Sequence, residues 1–323
     1  MEETADTRTF VIDLGFSYRA GQFLTFRLCG TLRSYSMSSS PDTDGSLAVT
    51  VKRVPGGLVS GWMHEHLGPG DVVEVTRPAG VFCLRETAAP MVAFGAGSGI
   101  TPILSLVKSA LAGGGRRVRV LTANRDWGSV IFRDALGELA GRYPGRLEVR
   151  HHLDQEHGFV TGDQVREFVG GDRDADFYIC GPAPFMDLAE RALLDDGVTP
   201  RQIFIERFES VAGSEATGGS EAGGSEAASP EREGTVCIVL SGQRQTVPQH
   251  AGETLLESAR RAGLSPPFSC EAGNCATCIA QVTEGEAKMR ANNALDDDEI
   301  ADGWVLTCQG EPVTPHVTVV YED

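Results

Sequence analysis

Four cysteines near the end of the chain have types and spacing suited to chemistry. Four residues separate Cys270 from Cys275, two separate Cys275 from Cys278, and a further 29 lead to Cys308. Thiolates at such intervals bind soft or borderline metals, or pair as disulfides. A zinc site is one reading, but a four-then-two spacing with a distant fourth cysteine is unusual for zinc. Disulfides require an oxidising compartment. The chain opens Met1-Glu-Glu-Thr-Ala-Asp, which is acidic and lacks the apolar stretch of a secretory leader, so a reducing, cytoplasmic setting is expected. The third reading is a [2Fe–2S] cluster. A tight loop must wrap two irons, the small residues Ala272, Gly273 and Ala276 let backbone amides turn toward the sulfides, and the fourth ligand arrives from a separate segment.

This spacing resembles that of the plant-type ferredoxins, and the resemblance covers residues 234–323. It implies that Cys270, Cys275, Cys278 and Cys308 ligate the cluster. Elements to hold the loop are legible around it. A hairpin is expected from Thr235–Leu240 and Gln245–Pro248, then a helix from Thr254 to Ala262 with Thr254 placed to cap it. Strands at Ile279–Glu284, Trp304–Thr307 and Val317–Val320 complete a small β-grasp-like sheet.

A one-electron carrier needs a donor, and the preceding residues read as one. Residues 1–88 carry short apolar runs at Thr9–Leu14, Gln22–Leu28, Leu32–Ser38, Leu47–Val54 and Val72–Thr76, broken by Gly, Pro and Asp. That rhythm predicts a small antiparallel β-barrel, with one helix from Val59 to Leu67. A barrel of this kind calls for one further strand ahead of Thr9; either the chain extends further or the barrel is open there. Within it lie Arg33-Ser34-Tyr35-Ser36 and, after Val51 and Lys52, Gly57-Leu58-Val59-Ser60. Arg33 offers a bidentate fork for a pyrophosphate, and the helix start at Gly57–Ser60 favours phosphate.

In this order the two motifs resemble the flavin domain of the ferredoxin–NADP⁺ reductase family. The resemblance implies FAD rather than FMN, bound by Arg33, Ser34, Tyr35, Ser36, Val51, Lys52, Gly57, Leu58, Val59 and Ser60. Tyr35 would pack along the flavin and ribityl chain, and Ser36, a catalytic residue on this reading, would hydrogen-bond near the flavin N5.

Residues 89–208 change rhythm. Apolar strands (Met91–Phe94, Val118–Ala123, Leu147–His151, Asp176–Ile179, Gln202–Ile205) alternate with helical patterns (Pro102–Ala112, Ile131–Arg142, Thr161–Val169, Pro184–Asp195). The alternation predicts a doubly wound parallel α/β sheet. Its first turn, Gly95-Ala-Gly97-Ser98-Gly99-Ile-Thr101-Pro102, allows close approach of a phosphate, with Thr101 placed to cap the helix and Pro102 in its first turn. This run and Cys180-Gly181-Pro182 resemble the nicotinamide domain of the same reductase family. The resemblance places Cys180 beside nicotinamide and flavin as a catalytic residue, and Asn124 and Arg125 near the adenosine. Arg125 could meet a 2′-phosphate, but Asp126 beside it opposes one, so NADH is favoured slightly over NADPH. Phe208 is a candidate for the flavin face, with core packing the competing role.

Residues 209–233 repeat a Gly-Ser-Glu-Ala unit and predict a flexible, self-repelling tether. The whole chain of 323 residues has a net charge of −17, which argues against nucleic acid or anionic membrane as partner and suits docking on a basic surface. No stretch reads as a membrane span. Cys29, Cys83 and Cys237 read as small buried residues. His64-Glu-His66 read as surface residues near a helix, His151-His152 as residues of a surface loop after a strand, and Asp296–Glu299 as a solvated face or helix start.

Taken together, the order barrel, nicotinamide domain, tether and ferredoxin resembles the reductase components of bacterial oxygenase systems, such as the phenylacetate-CoA epoxidase and ketosteroid hydroxylase reductases. It implies an NAD(P)H-dependent oxidoreductase in which electrons pass from NAD(P)H to FAD, to [2Fe–2S], and to a separate terminal oxygenase or hydroxylase. A flavin in the middle suits the arithmetic, because hydride carries two electrons and the cluster takes one. The alternatives are an FMN-containing reductase of the phthalate dioxygenase type and, in another class, an iron–sulfur redox sensor.

Overall fold

The computed structural model describes residues 1–13, 15–208, 231–264, 266–268, 273, 276–292 and 294–321. Two units, Met1–Phe208 and Glu209–Asp323, divide the chain. The tether expected at 209–233 lies outside the described residues as far as 230; from Glu231 the chain is already in a strand.

The first unit begins with strands β1 (Glu2–Thr4), β2 (Thr7–Ile12), β3 (Phe23–Leu28), β4 (Thr31–Ser36) and β5 (Leu47–Lys52), then helix α1 (Leu58–His66) and strand β6 (Glu74–Val75). They form two antiparallel sheets, ordered β1-β2-β5 and β4-β3-β6. Single bridges at Met37↔Val49 and Phe23↔Ala79 extend the pairing. Strand β1 folds back on β2 with Glu2 opposite Arg8. Leu47, Val49 and Val51 alternate along β5 and pack with Leu24, Phe26, Val59 and Met63. The β3–β4 turn corrects one expectation. Cys29 and Gly30 both take positive φ, 53° and 68°, as a tight two-residue hairpin turn demands, so Cys29 is exposed at its tip.

Next come β7 (Met91–Ala96), α2 (Ile100–Ala112), β8 (Val118–Asn124), α3 (Arg133–Arg142), β9 (Leu147–Leu153), α4 (Asp154–His157), α5 (Gly162–Val169), β10 (Asp176–Gly181), α6 (Ala183–Asp195) and β11 (Ile203–Arg207). The strands form a parallel sheet ordered β11-β10-β7-β8-β9. Side chains alternate across it. Met91 and Ala93 face α2 and α3, while Val92 and Phe94 face α5 and α6. The strand order reverses between β7 and β10, the place where open α/β sheets bind ligands. Strand β9 runs further than expected. His151 and His152 lie within it, His152 buried and His151 bonded through Nδ1 to Thr122 Oγ1 at 2.7 Å; neither is on a surface loop. His64 is likewise engaged, its Nε2 2.8 Å from Val51 O.

The second unit holds β12 (Glu231–Leu240), β13 (Gln243–His250), α7 (Leu255–Arg261), β14 (Ile279–Glu284), β15 (Ala287–Met289), α8 (Asp297–Ala301), β16 (Trp304–Leu306), β17 (Gly310–Pro312) and β18 (His316–Val320). Its mixed sheet is ordered β13-β12-β18-β14-β16, and β15 pairs with β17. Thr254 caps α7 in a reciprocal box with Glu257. The acidic run starts α8, with Asp296 accepting from the Glu299 amide at 2.9 Å. β15 and β17 are three residues each, too short for a periodic signal to stand out in the sequence, and they pair with each other.

Between β6 and β7 the chain is fastened to the parallel sheet by one buried carboxylate. Asp176 accepts from Arg116 Nη2 at 2.6 Å, Thr87 Oγ1 at 2.6 Å and Arg85 Nη1 at 3.1 Å. Arg116 also donates to the Ala89 and Arg85 carbonyls. Asp176→Ala leaves the buried Arg116 cation uncompensated and is expected to destabilise the first unit by about 3–5 kcal/mol. Thermal unfolding followed by flavin release measures this; an unchanged midpoint would show that the clasp contributes nothing.

Candidate functional site

Three sets of residues are brought into position. In the barrel, β4 carries Arg33, Ser34, Tyr35 and Ser36. Arg33 Nη1 donates to Leu32 O at 2.7 Å and Thr31 Oγ1 at 3.0 Å, which fixes its guanidinium beside the strand. Ser34 Oγ pairs with Thr25 Oγ1 at 2.9 Å. Tyr35 packs edge-on to Phe26, and burial pushes its hydroxyl pKa up to about 12, so it stays neutral. Ser36 differs from these: it is buried, and its Oγ has no hydrogen-bond partner. An unpaired buried hydroxyl costs about 1–3 kcal/mol, so the site fits a bound group that supplies the partner, as a flavin ring nitrogen would.

The second barrel motif meets β4 through β5. Val51 has its side chain in the barrel core and its carbonyl on His64, while Lys52 pairs with Asp6 at 3.6 Å. Gly57 precedes α1, whose first turn has no side-chain cap. The amides of Leu58, Val59 and Ser60 therefore suit an anion. Ser60 Oγ accepts from Val54 N at 3.1 Å, closing the preceding loop. Leu58 is exposed and Val59 buried.

The nucleotide turn lies at the sheet's switch point. A Cβ on Gly99 would come within 2.1 Å of Cys180 O, and one on Gly181 within 2.8 Å of Ala96 Cβ. The ends of β7 and β10 thus approach more closely than any side chain allows. Gly97 takes φ +52°. Helix α2 starts at Ile100, with no side-chain cap. Thr101 is not that cap: it lies inside the helix and donates to Ser98 O at 2.7 Å, while Pro102 falls in the first turn as expected. A 3₁₀ turn over Gly97–Gly99 leads into α2, with the Ile100 amide donating to the Gly97 and Ser98 carbonyls, so it is the start of this glycine turn that suits an anion. The Cys180 side chain is fully buried among core residues. Burial and, secondarily, Glu206 push its thiol well above the usual range, so it is neutral and contributes shape and backbone rather than a thiolate.

At the end of β8, Asn124 is buried and Arg125 is exposed, its Nε 2.9 Å from Asp126 Oδ2. Asp126 also accepts from Ser129 N at 2.9 Å. Trp127, half exposed, stands edge-on to His151 with 5.4 Å between ring centroids. The sequence reading missed this aromatic pair, because nothing local links the two positions. Phe208 is about one-third exposed beyond β11.

In the second unit, Cys270 and Cys275 lie outside the described residues. Cys278 and Cys308, both buried, are brought together, the Cys308 amide donating to Cys278 Sγ at 3.5 Å. Thr307 donates to Cys278 O through Oγ1 at 2.8 Å and through its amide at 3.1 Å. Ala276 takes φ +53°. Gly273 has no room for a Cβ, which would lie 2.6 Å from Ala291 O. Thr277, buried beside Cys278, has no hydrogen-bond partner at Oγ1. An amide aimed at a cysteine sulfur, a buried orphan hydroxyl and a loop of small residues all fit a sulfide-containing cluster. The sequence offered no signal for Thr277 beyond its place next to a cysteine.

This fold and these sites define a modular pyridine-nucleotide oxidoreductase. Three family profiles match the chain: the oxidoreductase FAD-binding domain over residues 1–83, the oxidoreductase NAD-binding domain over 91–191, and the 2Fe-2S iron-sulfur cluster binding domain over 238–313. The ferredoxin reductase component of 3-ketosteroid-9-alpha-monooxygenase from Rhodococcus rhodochrous is 37% identical over 332 residues, covering 99% of this chain and 94% of that protein. One subunit of the 1,2-phenylacetyl-CoA epoxidase of Escherichia coli is 31% identical, over 95% of this chain and 89% of that one. Among solved structures, phthalate dioxygenase reductase superposes with a TM-score of 0.59 at 25% identity, over 99% of this chain and 95% of that one. The chain belongs to the family of reductase components of oxygenase systems. It is an NAD(P)H-dependent oxidoreductase whose cofactors are FAD and a [2Fe–2S] cluster, with electrons running from nucleotide to flavin to cluster. The FMN alternative gives way to FAD, in line with the matched domain. Among the described residues no helix is long and apolar enough to cross a membrane.

Two substitutions separate site from scaffold. Ser36→Ala removes a hydroxyl that the fold does not use. Flavin-free protein should unfold at the same temperature or higher, while hydride transfer in FAD-loaded protein slows about tenfold, the worth of one hydrogen bond; destabilised flavin-free protein would mean a structural partner. Gly99→Ala forces the ends of β7 and β10 apart. It is expected to cut NADH-driven flavin reduction in stopped flow by roughly 10²-fold, with FAD retained; an unaltered rate would show that the close approach is not needed.

Proposed function

We propose that this chain is the electron-donating component for a separate terminal oxygenase or hydroxylase in the cytoplasm, with residues 1–88 holding FAD, 89–208 the nucleotide and 234–323 the cluster, joined by a tether over 209–233. The observation that carries the reading is the presence in one chain of a close glycine approach at the sheet switch point and a contact between two buried cysteines, as a nucleotide site and a one-electron centre would need. The similarity to reductase components over nearly their whole lengths supports a protein acceptor.

Arg33 and the α1 N-terminus would take the FAD pyrophosphate, with Ser34, Tyr35 and Ser36 along the ribityl chain and ring, and Val51 and Lys52 behind them. Bound FAD would supply the conversion between a hydride pair and single electrons. Gly95, Gly97, Ser98, Gly99 and Thr101 would receive the nucleotide phosphates, Gly181 and Pro182 would shape the nicotinamide pocket beside Cys180, and Asn124 and Arg125 the adenosine end. Phe208 would cover the flavin face. Asp126 holds the exposed guanidinium of Arg125 and adds a negative charge where a 2′-phosphate would sit, which supports NADH as the donor. The four cysteines would bind the cluster. The strongly negative chain suits an acceptor with a basic docking face.

The decisive comparison is Cys275→Ser against the parent protein. The variant is expected to lose reduction of a protein acceptor while keeping NADH reduction of small dyes at the parental rate, with FAD content unchanged. Loss of both activities together in FAD-loaded protein would overturn the order of carriers. In the parent, anaerobic titration should show flavin bleaching and a rhombic cluster signal at lower concentrations of NADH than of NADPH.

A further inference from the structure

A buried hydrogen-bond chain in the second unit leads from the end of β18 to the cysteine pair. Tyr321 follows β18, its amide donating to Val239 O at 2.9 Å. Its ring is packed into the core with Leu255, Ala259 and Val305. Its hydroxyl donates to Thr307 Oγ1 at 3.0 Å. Thr307, itself fully buried, donates onward to Cys278 O at 2.8 Å, and the next residue, Cys308, sends its amide to Cys278 Sγ. Nothing in packing requires a hydroxyl at the end of this ring. A phenylalanine would fill the same volume without a polar group to bury.

We propose that Tyr321 is a positioning residue for electron transfer, which raises the reduction potential of the cluster by acting through Thr307 on the Cys278 carbonyl. The inference rests on the reading that Cys278 and Cys308 are cluster ligands. The physics is electrostatic. A peptide carbonyl next to a ligand carries partial negative charge close to where an electron must be added. Two donors from Thr307, the hydroxyl and the amide, draw that charge away. The Tyr321 proton polarises the Thr307 hydroxyl, and hydrogen bonds in series strengthen one another in a low-dielectric interior. Such partners beyond the ligands tune metal centres, and cluster potentials respond to nearby hydrogen bonds and charge. The same chain holds the Cys278 and Cys308 segments in register, so electron loading and ligand geometry depend on one set of contacts.

The test uses the full-length holoprotein. Iron and sulfide content and the rhombic signal of the reduced parent establish the cluster independently of Tyr321. Tyr321→Phe is then expected to lower the cluster midpoint potential in an EPR-monitored titration and to alter its g-values. FAD content and NADH–dye turnover should stay parental. Thr307→Val should shift the potential in the same direction by at least as much, Thr307→Ser should restore parental behaviour, and Tyr321→Phe should add nothing once Thr307→Val is present. Because the titration reads only the loaded fraction, a variant that holds less cluster still reports. An unmoved potential and g-values in Tyr321→Phe would overturn the proposal and leave the tyrosine as core packing, and fully additive shifts would overturn the route through Thr307.

Discussion

The reductase unit depends on one close approach. Gly99 and the Cys180 carbonyl meet at a separation that excludes even a methyl group. That contact sets the distance between the ends of β7 and β10 where the sheet order reverses. It also places the glycine turn that leads into α2 where the strand order reverses. The rest of the unit serves the approach. The alternating burial of β7 gives each face of the sheet its own helices. The Asp176 clasp fastens the incoming chain at the opposite end of β10. Ser105 and Ser109 on α2 bond the barrel at Ser39 O and Ser40 Oγ, so the helix that follows the glycine turn is also the one that docks the barrel.

Two buried hydroxyls among the described residues are left unsatisfied by folding, one in each unit. Ser36 and Thr277 are the buried side chains without partners among the described residues. One lies at the end of β4, the other between two cysteines of the cluster motif. A fold that pairs its remaining buried hydroxyls, as with Thr9 and Thr50 or Ser38 and Thr50, tolerates two orphans where bound groups complete them. The cysteines divide along similar lines. Cys180 is kept neutral by burial. Cys278 instead accepts a hydrogen bond from the Cys308 amide. The same side-chain type is thus packed into the core in one unit and set against a backbone donor in the other.

The cofactor set and the order of the three modules were legible in the sequence by itself. Motifs such as C-x4-C-x2-C and Gly95–Pro102 are local, and their chemistry depends on residue type and short spacing. The change from period-two runs to alternating strands and helices likewise survives without coordinates, because periodicity reflects which face of each element is buried. Only the tertiary structure decided that His151 and His152 belong to a strand, that Cys29 sits exposed at a turn tip, and that Thr101 lies inside its helix. It alone left Ser36 and Thr277 unpartnered and carried Tyr321 to Thr307. Each of these is settled by contacts between distant segments or by the φ of a particular turn, and such contacts leave no periodic trace in the chain.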